Sequence, residues 1–93
     1  MTAVVVFLHG HGDTPDEYLA LAPRLVPDGT VLVAPRGPCE LSDGTAAWFG
    51  SDPDGGADPA QLAAGLDAVT AAVADACAAH SARPDQVVLA GFS

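Results

Sequence analysis

Apolar residues in this chain fall into two kinds of pattern that alternate along its length. Val4 to Leu8 is an unbroken apolar run, rich in β-branched residues, that ends at His9-Gly10-His11-Gly12. A run with no polar alternation predicts a strand buried on both faces, and the glycines predict a tight loop after it. From Asp16 to Leu25 the period changes: Tyr18, Leu21, Ala22 and Leu25 recur at helical spacing behind Thr14-Pro15, and Pro27-Asp28-Gly29 closes the segment. This predicts a helix over about 16–25. Thr30 to Ala34 is a second strand, closed by Pro35, and a connection rich in Gly, Pro and Asp runs from there to about Gly56. Connections of that length in compact domains usually carry function.

Asp58-Pro59-Ala60-Gln61 opens a second helix, with an acidic N-cap, proline at the first helical position and a glutamine placed to reach back to the cap. Leu62, Leu66, Val69, Val73 and Cys77 share one face of it, to about Ala79. Arg83-Pro84-Asp85 breaks the chain before a third strand over 86–90. The predicted elements are therefore strands at about 4–8, 30–34 and 86–90 and helices at about 16–25 and 59–79. Strand, helix, strand, loop, helix, strand implies an α/β fold with parallel strands joined by crossovers. No internal repeat interrupts that order.

Charge narrows the range of partners. Twelve acidic residues face three arginines and no lysine, a formal charge of −9. Nucleic acid is excluded as an expected partner, because neutralising phosphates needs clustered basic side chains. The acids are scattered and read as a solvated, mutually repelling surface. Cys39 and Cys77 lie far apart with no C-x-x-C spacing and no histidine at ligand spacing, so no metal site and no redox motif is expected. No run of about 18 apolar residues suggests a membrane span. Val4–Val6 lacks a basic lead and runs straight into His9-Gly10, so a strand is expected there in place of a signal peptide. The expected location is the cytoplasm.

Four segments carry a resemblance: Leu8-His9-Gly10-His11-Gly12-Asp13, Ala34-Pro35-Arg36-Gly37-Pro38, Ala47-Trp48-Phe49 and Ala90-Gly91-Phe92-Ser93. In order and spacing they resemble the phospholipase/carboxylesterase family, which includes acyl-protein thioesterases. The similarity spans the chain, which resembles the amino-terminal half of such an enzyme, so residues 1–93 are read as that part of a single α/β-hydrolase domain. The resemblance implies a partial α/β-hydrolase sheet with the first strand between the other two. It also implies hydrolysis of carboxylic esters or thioesters through a Ser-His-Asp triad, with a small ester or thioester as substrate and no cofactor.

Carried over residue by residue, the resemblance makes Ser93 the nucleophile of a G-x-S elbow and gives the backbone N–H of His11 to the oxyanion hole, with Gly10 and Gly12 allowing the close turn. Histidine at position 11 departs from the apolar residue often seen there. Trp48 is expected near the acyl pocket, or else as a core aromatic that shields the long loop with Phe49. H-G-x-G can also be a plain turn after a strand, and Gly-x-Ser is short enough to arise by chance. None of His9, His11 and His80 is expected to be the catalytic base, since in α/β-hydrolases the triad partners follow the serine in chain order. His80 closes the second helix, where a cation suits the dipole.

Three readings follow. The favoured one is the amino-terminal part of a serine hydrolase. With the triad Asp and His outside this sequence, the 93 residues alone are expected to show no esterase activity. A second is a non-enzymatic fragment or interaction module that pairs through an exposed sheet edge, with a complementing carboxyl-terminal half or with itself. A third keeps the fold but uses a cysteine nucleophile, as in dienelactone-hydrolase relatives; serine at position 93 argues against it.

Overall fold

The computed structural model describes residues 3–50 and 54–92. Three parallel strands form its sheet: β1 (Val4–Leu8) lies between β2 (Val31–Val33) and β5 (Val87–Gly91). Val4 pairs with Val31 on one side and with Val87 on the other, and the β1–β5 register continues to Leu8 opposite Gly91. The central place of the first strand agrees with the reading from sequence. β2 is shorter than expected, and β5 starts one residue later because Pro84–Gln86 forms a 3-10 turn. There the Gln86 side chain accepts the Arg83 N–H at 2.8 Å.

Alternation along β1 sends its side chains to two layers. Val4 and Val6 are completely buried and meet Ala76, with Val73, Val31, Val33 and Val87 packed around them. Burying each of these valines contributes about 1.5–3 kcal/mol. Val5 and Phe7 take the opposite face, where the Phe7 ring lies 4.6 Å from that of Tyr18.

The helix expected over 16–25 is two: α1 (Pro15–Ala20) and α2 (Ala22–Leu25). Pro23 is the cause. It has no N–H to offer the carbonyl of Leu19 and its ring clashes with that carbonyl, so an unbroken helix is disfavoured. Leu21 takes φ −92° and ψ 2°, and Pro23 falls in the first turn of a new helix, where proline is tolerated.

α3 (Pro59–His80) is close to its expected length. Asp58 caps it, its carboxylate accepting the Gln61 N–H at 3.1 Å. The return contact expected of Gln61 is not made. Its Oε1 accepts the Gly50 N–H at 2.6 Å, while the Asp58 N–H goes to the Gly50 carbonyl at 2.9 Å. The helix stops at Ser81, a left-handed residue at φ 51° that returns the Ala82 N–H to the Cys77 carbonyl. The buried stripe also differs from the expected one. Small residues, Gly65 and Ala76, carry the closest contacts, whereas Leu66 is 62% exposed. By length and composition α3 is apolar enough to cross a membrane, although Asp67 and Asp75 interrupt it; here it packs on β1.

The connection after β2 is not simply a loop. It contains a small antiparallel ladder of β3 (Cys39–Glu40) and β4 (Ala46–Ala47), closed by a turn with Gly44 at φ 85°. Ala46 and Ala47 are buried. Beyond β4 the ladder extends to the H-G-x-G loop, because Asp13 bridges Ala46.

Candidate active site

β1 delivers its last residue, Leu8, to the end of the sheet, and the loop His9-Gly10-His11-Gly12-Asp13 leaves from there. Much of that loop's backbone is hydrogen-bonded within the protein. The Gly10 N–H donates to Asp13 Oδ2 at 3.1 Å, and the Asp13 N–H to the Gly10 carbonyl at 3.2 Å. The Gly12 N–H donates to the Ala46 carbonyl at 2.9 Å, and the Ala46 N–H returns to the Asp13 carbonyl at 3.0 Å. Gly12 has φ 79°, a conformation that L side chains rarely adopt, which is the reason for glycine there. Among the described residues nothing accepts the His11 N–H, and His11 is exposed.

The His9 ring is buried, only 2% exposed, and its tautomer follows from its neighbours. Nε2 lies 2.9 Å from the Gly37 N–H. A backbone N–H can only donate, so Nε2 is the bare nitrogen. The proton then sits on Nδ1, 2.8 Å from the Gly10 carbonyl oxygen, which accepts it. Gly37 reaches the ring because it has no side chain: a Cβ at that position would lie 2.4 Å from the Ala47 carbonyl oxygen. Trp48 completes this cluster. Its indole N–H donates to the His9 carbonyl at 2.8 Å and its ring lies 5.1 Å from the imidazole.

Asp13 also accepts the Tyr18 hydroxyl at 2.8 Å. Burial raises the Tyr18 phenol above its ordinary value, and the Asp13 carboxylate raises it further, as acceptor of the hydroxyl proton and as a neighbouring negative charge. The phenol is thereby held as a donor to the loop.

On the α3 side of β1, Leu8, Trp48, Phe49, Leu62, Leu66 and Val69 line an apolar cavity of about 250 Å³. The same tryptophan thus touches both the loop and this cavity. Gly65 forms part of the cavity wall, where α3 comes against the Trp48 backbone.

Of the residues singled out in the sequence, Gly10, His11, Gly12 and Trp48 are brought together at the carboxyl end of β1. Ser93 lies outside the described residues. β5 aligns with β1 up to Gly91 opposite Leu8, and the Phe92 N–H donates to the Leu8 carbonyl at 3.1 Å. His80 lies at the far end of α3, in a separate cavity with Val33, Pro35 and Asp75. No group of His, Cys, Asp and Glu suited to a metal occurs among the described residues.

Sequence reading missed the parts that hold the loop: the His9 ring, Asp13 with Tyr18, Gly37, and the β3–β4 ladder. One signal was present for the last of these. Asp43-Gly44 is a turn dipeptide, and it sits between the two short strands.

No protein-family model matches the chain, and no curated protein matches it. Among solved structures it is similar to the crystal structure of esterase PE8, with a TM-score of 0.76 and 29% identity over 97% of this chain and 45% of that one. The chain therefore spans less than half the length of that esterase. A parallel sheet of three strands with helices, in an arrangement shared with an esterase, makes this a partial α/β fold of the hydrolase kind.

Proposed function

We propose that the chain is the amino-terminal part of a serine hydrolase acting on carboxylic esters or thioesters, of the carboxylesterase, lysophospholipase and acyl-thioesterase class. One observation carries the reading. Of the N–H groups from Gly10 to Asp13, three are bound by acceptors and that of His11 has none among the described residues, at the carboxyl end of the central strand of an esterase-like sheet. An unspent, fixed N–H at such a position suits the oxygen of a tetrahedral intermediate.

In this reading Ser93 attacks the acyl carbon and the His11 N–H receives the charge that develops on the carbonyl oxygen. Trp48 borders the acyl group, and the apolar cavity it shares with Leu8 and Leu66 is where an apolar chain would bury. A base that takes the serine proton and its orienting carboxylate come from elsewhere in the enzyme, so residues 1–93 alone do not turn over. No metal or cofactor takes part.

The test is turnover of p-nitrophenyl esters and of acyl thioesters by the complete gene product, together with fluorophosphonate labelling. Labelling at Ser93, with turnover abolished in Ser93→Ala, is the expected result. An unlabelled, inactive but folded product would sink the proposal.

A second reading rests on β5. Val88 and Leu89 are 57% and 54% exposed on opposite faces of this edge strand, which suits pairing with another chain or segment.

A further inference from the structure

We infer that the His9 imidazole, held as the neutral Nδ1–H form, is a positioning residue that aims the His11 N–H. The inference rests on the hydrolase reading above and goes beyond it, since it concerns a buried side chain and not the loop backbone.

The argument begins with the peptide bond. The Gly10 carbonyl and the His11 N–H belong to one peptide unit, which is planar and trans, so that the N–H points away from the carbonyl. Whatever fixes the carbonyl therefore fixes the direction of the N–H. Two donors hold the Gly10 oxygen: the His9 Nδ1–H at 2.8 Å and the Asp13 N–H at 3.2 Å. The shorter contact belongs to the ring.

Glycines at 10 and 12 leave the loop with wide backbone freedom of its own. The ring offsets this because it is itself held on two sides, one of them by a residue that is fixed in turn. Nε2 accepts the Gly37 N–H, Gly37 lies against Ala47, and Trp48 flanks the imidazole. A line of contacts thus runs from the β3–β4 ladder through Gly37 and the ring to the Gly10 carbonyl, and so to the His11 N–H. A carbonyl that accepts hydrogen bonds also polarises its own peptide unit, which makes the N–H on its far side a stronger donor. Orientation and donor strength both come from the same Nδ1–H.

An aim of this kind matters in the transition state, when charge gathers on the substrate oxygen, and little in the ground state. Loss of the ring should therefore lower kcat and leave KM nearly unchanged. Because a misplaced or missing oxyanion donor costs about 10²-fold, His9→Leu in the complete enzyme should lose about that much in kcat. His9→Asn places an amide N–H near the former Nδ1 and should recover to within about tenfold of wild type, the scale of one weakened contact.

Three measurements decide the matter: kcat and KM for wild type, His9→Leu and His9→Asn; circular dichroism of each; and the ¹⁵N–¹H correlation pattern of the wild-type His9 ring. Expected are a kcat-only loss in folded His9→Leu, partial recovery in His9→Asn, and a proton on Nδ1 with Nε2 bare. A folded His9→Leu enzyme with unchanged kcat would overturn the role, as would a proton found on Nε2. Should His9→Leu not fold, His9→Asn and the ring pattern still decide, and an Asn variant that folds yet loses as much as Ser93→Ala would overturn it. Absence of turnover in wild type would instead sink the hydrolase reading, and this role with it.

Discussion

Gly65 and Trp48 meet backbone to backbone: a Cβ on Gly65 would lie 2.4 Å from the Trp48 carbonyl oxygen. In the middle of a helix glycine costs about 1 kcal/mol relative to alanine, so Gly65→Ala ought to stabilise on helix propensity alone. The clash reverses that. A backbone carbonyl cannot swing aside as a side chain can, and overpacking typically costs about 1–3 kcal/mol. The expected net result is a loss of up to about 2 kcal/mol, read as a lower urea midpoint. Trp48 is the only tryptophan in the chain, so its emission should shift as well. A midpoint equal to or above wild type would show that α3 does not approach the loop so closely.

Asp58 caps α3 by accepting the Gln61 N–H at Oδ1. Asp58→Ala should cost about 1 kcal/mol, the usual worth of such a cap. Gln61→Ala removes the acceptor of the Gly50 N–H and should cost about 0.5–1.5 kcal/mol. The two sites share the junction between Gly50 and the helix start, so the double variant should deviate from the sum of the singles. Denaturation of all four proteins checks this, and strict additivity would argue that Gln61 does not anchor the loop.

Tyr18 makes stability depend on alkaline pH. Its phenol is raised in the folded protein above the ordinary 10.0, first by burial and then by Asp13. A folded value above the unfolded one means that the neutral phenol is favoured on folding. That contribution is fully present below the unfolded value and is lost as pH rises through the folded one. Tyr18→Phe should therefore sit at a constant deficit to wild type up to about pH 10, the ordinary phenol range, and the gap should close above it. Tyr18 is the only tyrosine in the chain, so its absorbance titration reports the folded value directly. A gap that stays constant through the titration would mean that the Tyr18–Asp13 contact does not form.

For the outer edge of β5, residues 1–93 expressed alone should associate with increasing concentration. Val88, Leu89 and Phe92 are all more than half exposed, and an apolar strand edge recruits further strands. Val88→Lys with Leu89→Lys should suppress the association, and a carboxyl-terminal half supplied in trans should compete with it. A monodisperse monomer with concentration-independent, cooperative unfolding would contradict both.

The strands and α3 were legible because each rests on many residues acting alike: Val4–Leu8 as a continuous apolar run, Asp58-Pro59 as a helix start. The family resemblance then implied that β1 lies at the centre. What escaped depends on single contacts between distant segments. Nothing in His9 as a letter tells that its ring reaches Gly37, or that Gln61 would prefer Gly50 to its own cap. Leu62 and Leu66 share the apolar face that the spacing predicts, yet close approach at Gly65 and Ala76 leaves them overhanging a cavity. Pro23 was visible throughout; its effect depended on weighing one missing N–H against a good apolar period. At the candidate site, the glycine pattern and His11 were legible, whereas the buried scaffolding that holds them was not.

The β1–β5 register also bears on how the protein comes into being. Val4 pairs with Val31 on one side and Val87 on the other, so the central strand gains its second neighbour long after its first. β2 becomes available much earlier, and β1 with β2 and the first two helices can gather during synthesis while α3 and β5 are still to come. Contacts between residues so far apart in sequence slow folding, because the intervening loop must close before they are rewarded. β5 therefore joins a strand made well before it, and until it arrives Val4 and Val6 offer chaperones an open apolar flank.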